Sequence, residues 1–243
     1  MNTENTGTLY IVAIPIGQAQ DISLRAAKTL LQADIIACED TRRAGLLLQN
    51  LRELTPEFQT EKRPRLISYY DQVEQQKTPE ILHSLIQGLT VALVSDAGTP
   101  LVSDPGFRVV REVIAAGLRV ESIPGPSAVI TALTVSGLPT DKFFFLGYLP
   151  KKTGHRKELL ESLKSLVGQL KTTIIFFEAP HRIKGTLAEL MEVYGEEKYV
   201  VVARELTKTY EEVQRGKIID IAAHFKKHEP KGEFVLLFHT DTF

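Results

Sequence analysis

The run Ser95-Asp96-Ala97-Gly98-Thr99-Pro100-Leu101-Val102-Ser103-Asp104-Pro105-Gly106 packs two prolines, two glycines and two aspartates into one short segment. Proline fixes backbone torsions and glycine permits unusual ones, so such a loop holds amides and carbonyls in a set array. Asp96 and Asp104 add negative charge. That combination suits a small polar cation such as a sulfonium amino acid. A tight turn whose aspartates cap the following helix accounts for the same residues equally well, and both readings stay open.

Three more loops of this kind occur in the first half of the chain. They are Pro15-Ile16-Gly17, Glu39-Asp40-Thr41-Arg42 and Pro124-Gly125-Pro126-Ser127-Ala128. One means little, but four at successive strand ends are expected to converge on one crevice. In the second half, Phe177-Glu178-Ala179-Pro180-His181-Arg182 joins a strand to a helix, with Pro180 suited to the first helical position and Glu178 or His181 placed to face a ligand. Arg204, Glu205 and Glu211 read either as ligand contacts or, favoured for the two glutamates, as ion pairs at a domain seam. The basic segment Lys151-Lys152-Thr153-Gly154-His155-Arg156-Lys157 is a candidate RNA-phosphate contact, although charge runs are more often solvated loops.

Other chemistries find no support. GxGxxG, GxxxxGK[ST] and GxSxG patterns are all missing, so nicotinamide cofactors, nucleoside triphosphates and a serine-nucleophile elbow are not indicated. His224 and His228 stand four apart, but no third metal ligand accompanies them, and no metal is expected. Cys38 ends an apolar strand and reads as a small core residue. Phe143-Phe144-Phe145 reads as core strand rather than a base-stacking platform.

These loops must be held by a scaffold. Apolar runs at residues 8–14, 34–38, 65–68, 91–94 and 119–123 alternate with helical spacings near 21–33 (Asp21 as cap), 42–51, 74–87 and 107–116. Residues 52–64 read as a surface loop. Strands alternating with helices predict a mainly parallel sheet covered on both faces. Beyond Pro124 the pattern is helix 127–135, strand 143–146, a basic loop, a helix to about 166, strand 172–177, helix 180–194, strands 199–203 and 210–215, helix 218–226 and strand 233–239. Strands now adjoin directly, which predicts antiparallel pairing. The expected division is an α/β domain over 1–123 and a second α/β domain over 124–243.

Hydrophobic residues make up 43% of the 243 and charged residues 24%, enough apolar material for packed cores. No run approaches the roughly 20 apolar residues of a membrane span, and Met1-Asn2-Thr3-Glu4-Asn5-Thr6 does not read as a signal peptide. A single cysteine excludes an internal disulfide and fits a reducing cytoplasm. The net charge of −1 supplies no positive field, so a nucleic-acid partner has to be met by a local basic patch.

Taken in order, Gly7–Ala13, Ala37–Arg42, Ser95–Gly106, Ile123–Ala128, Ser136–Pro139, Gly147–Pro150, Glu178–Arg182, Arg204–Lys208 and Lys231–Glu233 resemble the tetrapyrrole-methylase superfamily. Within it they are similar to the branch that 2′-O-methylates a cytidine of 16S ribosomal RNA in the small subunit. The resemblance implies a two-domain α/β fold with a mainly parallel N-terminal sheet and a mixed C-terminal sheet. It further implies a homodimer, with S-adenosylmethionine (SAM) in an interdomain cleft. It places cofactor contacts at Ile16, Ser95, Asp96, Ala97, Gly98, Leu101, Ser127, Ala128, Phe177, Ala203 and Glu233. Asp40, Glu178 and His181 become the catalytic candidates, and Arg42, Lys151, Lys152, Arg156 and Lys157 the RNA contacts. Three departures stand out: Gln18-Ala19 where the family has Asn-Leu, Tyr69-Tyr70-Asp71-Gln72-Val73-Glu74 in place of a His/Asn-rich stretch, and a chain that stops at Phe243 without a small C-terminal extension common in the family. A tetrapyrrole methyltransferase or a non-catalytic SAM-binding ribosome-assembly factor are the alternative readings.

Overall fold

The computed structural model describes residues 6–58, 60–167 and 170–241. The leading segment read for a signal peptide lies outside the described residues except for Thr6, and so does Phe243. Two compact units divide the chain, Met1–Ser127 and Ala128–Phe243, with the boundary at the end of the Pro-Gly-Pro-Ser segment rather than at its start.

The first unit is built on β1 (Thr8–Val12), β2 (Ile35–Cys38), β3 (Arg65–Ser68), β4 (Val91–Val94) and β5 (Arg119–Ile123), in the order β3-β2-β4-β1-β5. Every pairing is parallel. Every residue of β2 and β4 is buried, as uninterrupted apolar strands covered on both faces must be. On one face, α1 (Leu24–Gln32) and α2 (Thr41–Leu54) pack Leu30, Leu31, Leu48 and Leu51 against Ile36, Cys38 and Val94. On the other, α3 (Glu74–Ile86) and α4 (Phe107–Ala115) pack Ile81, Leu85, Val109 and Val113 against Ile35, Ala37 and Leu93.

The cap of α1 is Ser23, whose hydroxyl accepts from the Ala26 N–H at 3.1 Å; Asp21, expected in that role, instead closes a 3₁₀ turn by donating its own N–H to Gln18. The segment expected as a loop from Arg52 begins as the last turn of α2.

The second unit orders its strands β6-β7-β10-β8-β9: β6 (Phe143–Tyr148), β7 (Thr173–Glu178), β8 (Tyr199–Arg204), β9 (Glu212–Lys217) and β10 (Phe234–His239). Only the β6–β7 pair is parallel; the others are antiparallel. The core here is formed with α6 (Thr153–Val167), α7 (Ile183–Tyr194) and α8 (Ile218–Lys227), while α5 (Ala128–Ser136) also packs on the sheet. The edge strand β6 corrects one expectation. Phe143 and Phe144 are 41% and 47% exposed, at the start of a strand that has a neighbour on one side only.

Candidate functional site

Parallel strands deliver their C-terminal ends to one edge of the sheet, and in the first unit the loops there are tied to one another. Beyond β1, Ile14 donates its N–H to the Gly98 carbonyl at 2.8 Å, and Gly98 returns the bond to the Ile14 carbonyl at 3.1 Å. The Thr99 hydroxyl donates to the Pro126 carbonyl at 2.9 Å, fastening the loop after β4 to the end of β5. The Arg43 guanidinium, in the first turn of α2, meets the Asp96 carboxylate at 3.0 Å. The four loops expected to gather do so within this unit.

The loop between β4 and α4 is under conformational demand. Gly98 and Gly106 have φ of 75° and 132°, and the non-glycine residues Leu101 and Ser103 have φ of 71° and 67°. Such torsions cost of order 1 kcal/mol or more outside glycine and persist only where surroundings over-determine them. Inside the turn, the Ser95 hydroxyl donates to the Ala97 carbonyl at 3.0 Å. The aspartates do not cap α4: its first residue follows Gly106, whose N–H is taken instead by the Glu74 carboxylate at 2.6 Å. The departing segment Tyr69–Glu74 therefore braces the loop, and Tyr69 is buried with its hydroxyl 3.2 Å from that of Thr78.

The catalytic candidates fare differently. Asp40 caps α2, accepting from the Arg42 N–H at 2.8 Å and from the Arg42 guanidinium at 2.7 and 3.1 Å. Arg42 thereby holds the Asp40 carboxyl well below the usual carboxylate range, so it is a weak base at neutral pH, and the charge of Arg42 is already matched. Glu178 is a correction. Its side chain is fully enclosed, accepting from the Ala179 N–H at 2.8 Å and the Thr186 hydroxyl at 2.5 Å and facing Arg182 at 3.1 Å, so its carboxylate is taken up in organising the start of α7. His181 is exposed in the turn before α7.

Sequence reasoning missed Glu39. One face of the sheet edge carries Glu39 beyond β2, Asp71 beyond β3 and Asp104 beyond β4. Burial, then the charges of Asp104 and Asp96, push Glu39 up to about 6. Burial, eased by the neighbouring Ser95 hydroxyl and reinforced by Asp96 and Asp71, pushes Asp104 up to about 6. Glu39 Oε1 is buried and has no hydrogen-bond partner. The signal was present in strand alternation, which sends Glu39 to the face opposite Cys38, but its acidic neighbours are distant in sequence.

These shifts fix a sign for stability. Both carboxyls are raised above their ordinary values of 4.5 and 3.8. Between those values and about 6 the folded protein holds more protons than the unfolded chain, so their contribution to stability declines as pH rises through that window. In urea titrations at pH 4.5, 5.5 and 7, the combined Glu39→Gln and Asp104→Asn variant is expected to gain stability relative to the parent as pH increases. A difference that stays constant across the three pH values contradicts the assignment.

In the second unit the implied cofactor residues lie across three adjacent strands. Val235 of β10 pairs with Phe177 of β7 on one side and Ala203 of β8 on the other. Next along, the Glu233 N–H donates to the Glu205 carboxylate at 2.9 Å, and Lys208 bridges Glu205 and Glu233 at 3.0 and 2.9 Å. Arg204 lies 3.5 Å from Glu212, an ion pair within this unit, whereas the Glu211 carboxylate accepts from the Thr207 backbone N–H.

The basic segment is largely the first turns of α6 rather than a loop. Lys151 and Lys152 are exposed, and Lys157 pairs with Glu192 at 2.8 Å. Arg156 is a second correction. It is 5% exposed, clasps Glu189 of α7 through two nitrogens and donates to the Pro150 carbonyl at 3.2 Å, so it serves the fold and not RNA. His224 and His228 stack at 4.4 Å, and among the described residues no group of three or more His, Cys, Asp or Glu could hold a metal. Cys38 is buried, and burial pushes its thiol up to about 12. Among the described residues no helix is long and apolar enough to cross a membrane.

The first unit is thus a parallel α/β unit with linked strand-end loops and the second a mixed α/β unit. The family model of the tetrapyrrole (corrin/porphyrin) methylases matches residues 8–222, and the chain belongs to that family.

Its curated relatives narrow the class. A protein of Mesorhizobium japonicum named ribosomal RNA small subunit methyltransferase I is 46% identical over 94% of this chain and 74% of its own length. A Thermotoga maritima protein of the same name is 42% identical over 95% of this chain and 97% of its own length, so that name is also carried by a chain with little beyond the matched region. Among solved structures, diphthine synthase aligns with a TM-score of 0.71 at 16% identity, over 98% of this chain and 91% of its own. A uroporphyrin-III C-methyltransferase from Thermus thermophilus, solved with S-adenosylhomocysteine, aligns with a TM-score of 0.62 at 17% identity, over 96% and 98%. These two likenesses establish the fold.

Proposed function

We propose that this chain is a SAM-dependent methyltransferase acting on the 2′-hydroxyl of a cytidine in 16S ribosomal RNA of the small subunit. Sequence identity of 42–46% to relatives named for small-subunit ribosomal RNA methylation, sustained over nearly the whole chain, carries the reading. Homodimer assembly, the 30S subunit as substrate and a cytoplasmic location belong to the same proposal.

The residues fit the cofactor. The loop from Ser95 to Leu101 offers fixed backbone donors and acceptors, Gly98 lets Ile16 approach closely, and carboxylates lie nearby to balance a cation. Ser127 continues the set in the first unit, and the resemblance adds Ala128, Phe177, Ala203 and Glu233 among residues of the second. Bound SAM supplies an electrophilic methyl group on a sulfonium leaving group. The protein's task is then to align the acceptor oxygen with that methyl group, which is worth roughly 7–11 kcal/mol where geometry is strict. As the ribose oxygen bonds to carbon, its proton needs an acceptor. Glu39 and Asp104, raised to about 6, bind a proton more readily than Asp40 and are the carboxylates suited to that transfer. Lys151 and Lys152 contribute phosphate contacts.

For Glu39→Gln, kcat with 30S subunits is expected to fall roughly a hundredfold or more with SAM affinity intact, and the acid limb of its pH profile to move from near 6. An unchanged kcat and limb removes Glu39 from that role. Transfer to uroporphyrinogen but not to 30S subunits would favour tetrapyrrole methylation. SAM binding and ribosome association without a labelled product would favour an assembly factor.

A further inference from the structure

A cavity of about 270 Å³ opens within the first unit, on the face of the sheet opposite Glu39, between α2 and the loops after β1 and β4. Its apolar walls include Pro15 from the β1 loop and Leu46 and Leu47 from α2, with Leu46 62% exposed. Its polar groups are the Arg43–Asp96 pair, the Asn50 amide, Ser95, and the Asp40 carboxylate, which Arg42 already holds, with Arg43, Leu47 and Asn50 spaced along one side of α2. None of these α2 side chains belongs to the implied cofactor set; Ser95 and Asp96 belong to both linings, and the Asp96 carboxylate is turned toward Arg43.

We propose that this cavity receives one extruded pyrimidine base of the RNA and selects cytosine. The inference rests on the function proposed above and specifies how its substrate is read. Size argues first. The volume lies just below the roughly 300–1,000 Å³ of sites for drug-sized ligands, a size that suits a single flat ring. Hydrogen bonding argues second. A carboxylate accepts from the cytosine 4-amino group, whereas the uracil 4-oxygen in the same place would meet it with like polarity. The Arg43 guanidinium uses one nitrogen on Asp96 and has other N–H groups to donate to the ring nitrogen and 2-oxygen. Asn50 can serve either edge. The apolar walls substitute for the base stack that extrusion gives up.

The test uses a single-stranded oligoribonucleotide carrying one pyrrolocytidine, whose fluorescence reports enclosure of the base, alongside methyl transfer to unmodified 30S subunits and calorimetric titration of SAM. The parent protein is expected to change the probe's fluorescence, and cytidine-containing oligomers to displace it at least about tenfold better than uridine-containing ones. Leu46→Trp, which occupies the cavity from an exposed position, abolishes the signal and lowers kcat/KM for 30S subunits by roughly tenfold or more. Asn50→Ala, which leaves the helix face in place, weakens both measures chiefly through KM, and both variants keep the parent's SAM affinity. Parental probe response and parental transfer in Leu46→Trp overturn the proposal, as does equal displacement by uridine oligomers. If the parent shows the probe response and its loss in Leu46→Trp but no transfer to 30S subunits, the cavity reading stands and the proposed reaction fails.

Discussion

Gly98→Val is expected to weaken SAM binding on the order of a hundredfold while leaving the chain folded. At φ 75° a β-branched residue is strained, and an added Cβ would already sit 3.2 Å from Ile16 Cγ2 before its methyl groups are counted. Together these effects are worth roughly 2–3 kcal/mol, and every 1.4 kcal/mol is about tenfold in affinity. The loop has two ways to respond, and both harm the site. It can break the paired hydrogen bonds between Ile14 and Gly98, or it can push Ile16 out of its buried position. Gly98→Ala should show the same change at smaller size. Calorimetric titration of both variants decides the matter; parental affinity in Gly98→Val would show that this turn does not hold the cofactor.

The second large effect concerns stability. Arg156 and Glu189 have side chains only 6% and 8% exposed. Removing one member strands the other as an uncompensated buried charge, which costs about 3–5 kcal/mol. Arg156→Ala is therefore expected to lower the urea unfolding free energy by that amount, and Arg156→Met with Glu189→Leu to recover most of it. Were Arg156 an RNA contact, the single variant would stay near parental stability and lose affinity for 30S subunits instead.

How much of this was legible in the sequence depends on the reach of the signal. β2 and β4 read directly as uninterrupted apolar runs, and the change from alternating strand and helix to adjoining strands announced two different sheets. The cap of α1 was misplaced because Asp21 and Ser23 are both good cap residues, and only the preceding 3₁₀ turn chooses between them. Arg156 was grouped with Lys151 and Lys152 by charge. Once a helix starts at Thr153, Arg156 rotates toward α7, where Glu189, far along the chain, claims it. Glu178 and Asp40 stand in the right motifs, yet their partners Thr186 and Arg42 decide what their carboxylates can do. Glu39 went unnoticed because its environment is made by Asp71, Asp96 and Asp104, contributed by neighbouring strands of the sheet and invisible to spacing along one segment.

Incubating the protein with methyl-labelled SAM and 30S subunits from a strain lacking the modification, then mapping the label, tests the central claim. The account predicts label on the 2′-oxygen of a cytidine in 16S ribosomal RNA, with no label on uroporphyrinogen offered in parallel. Label on a base, on a tetrapyrrole or on nothing at all would contradict it.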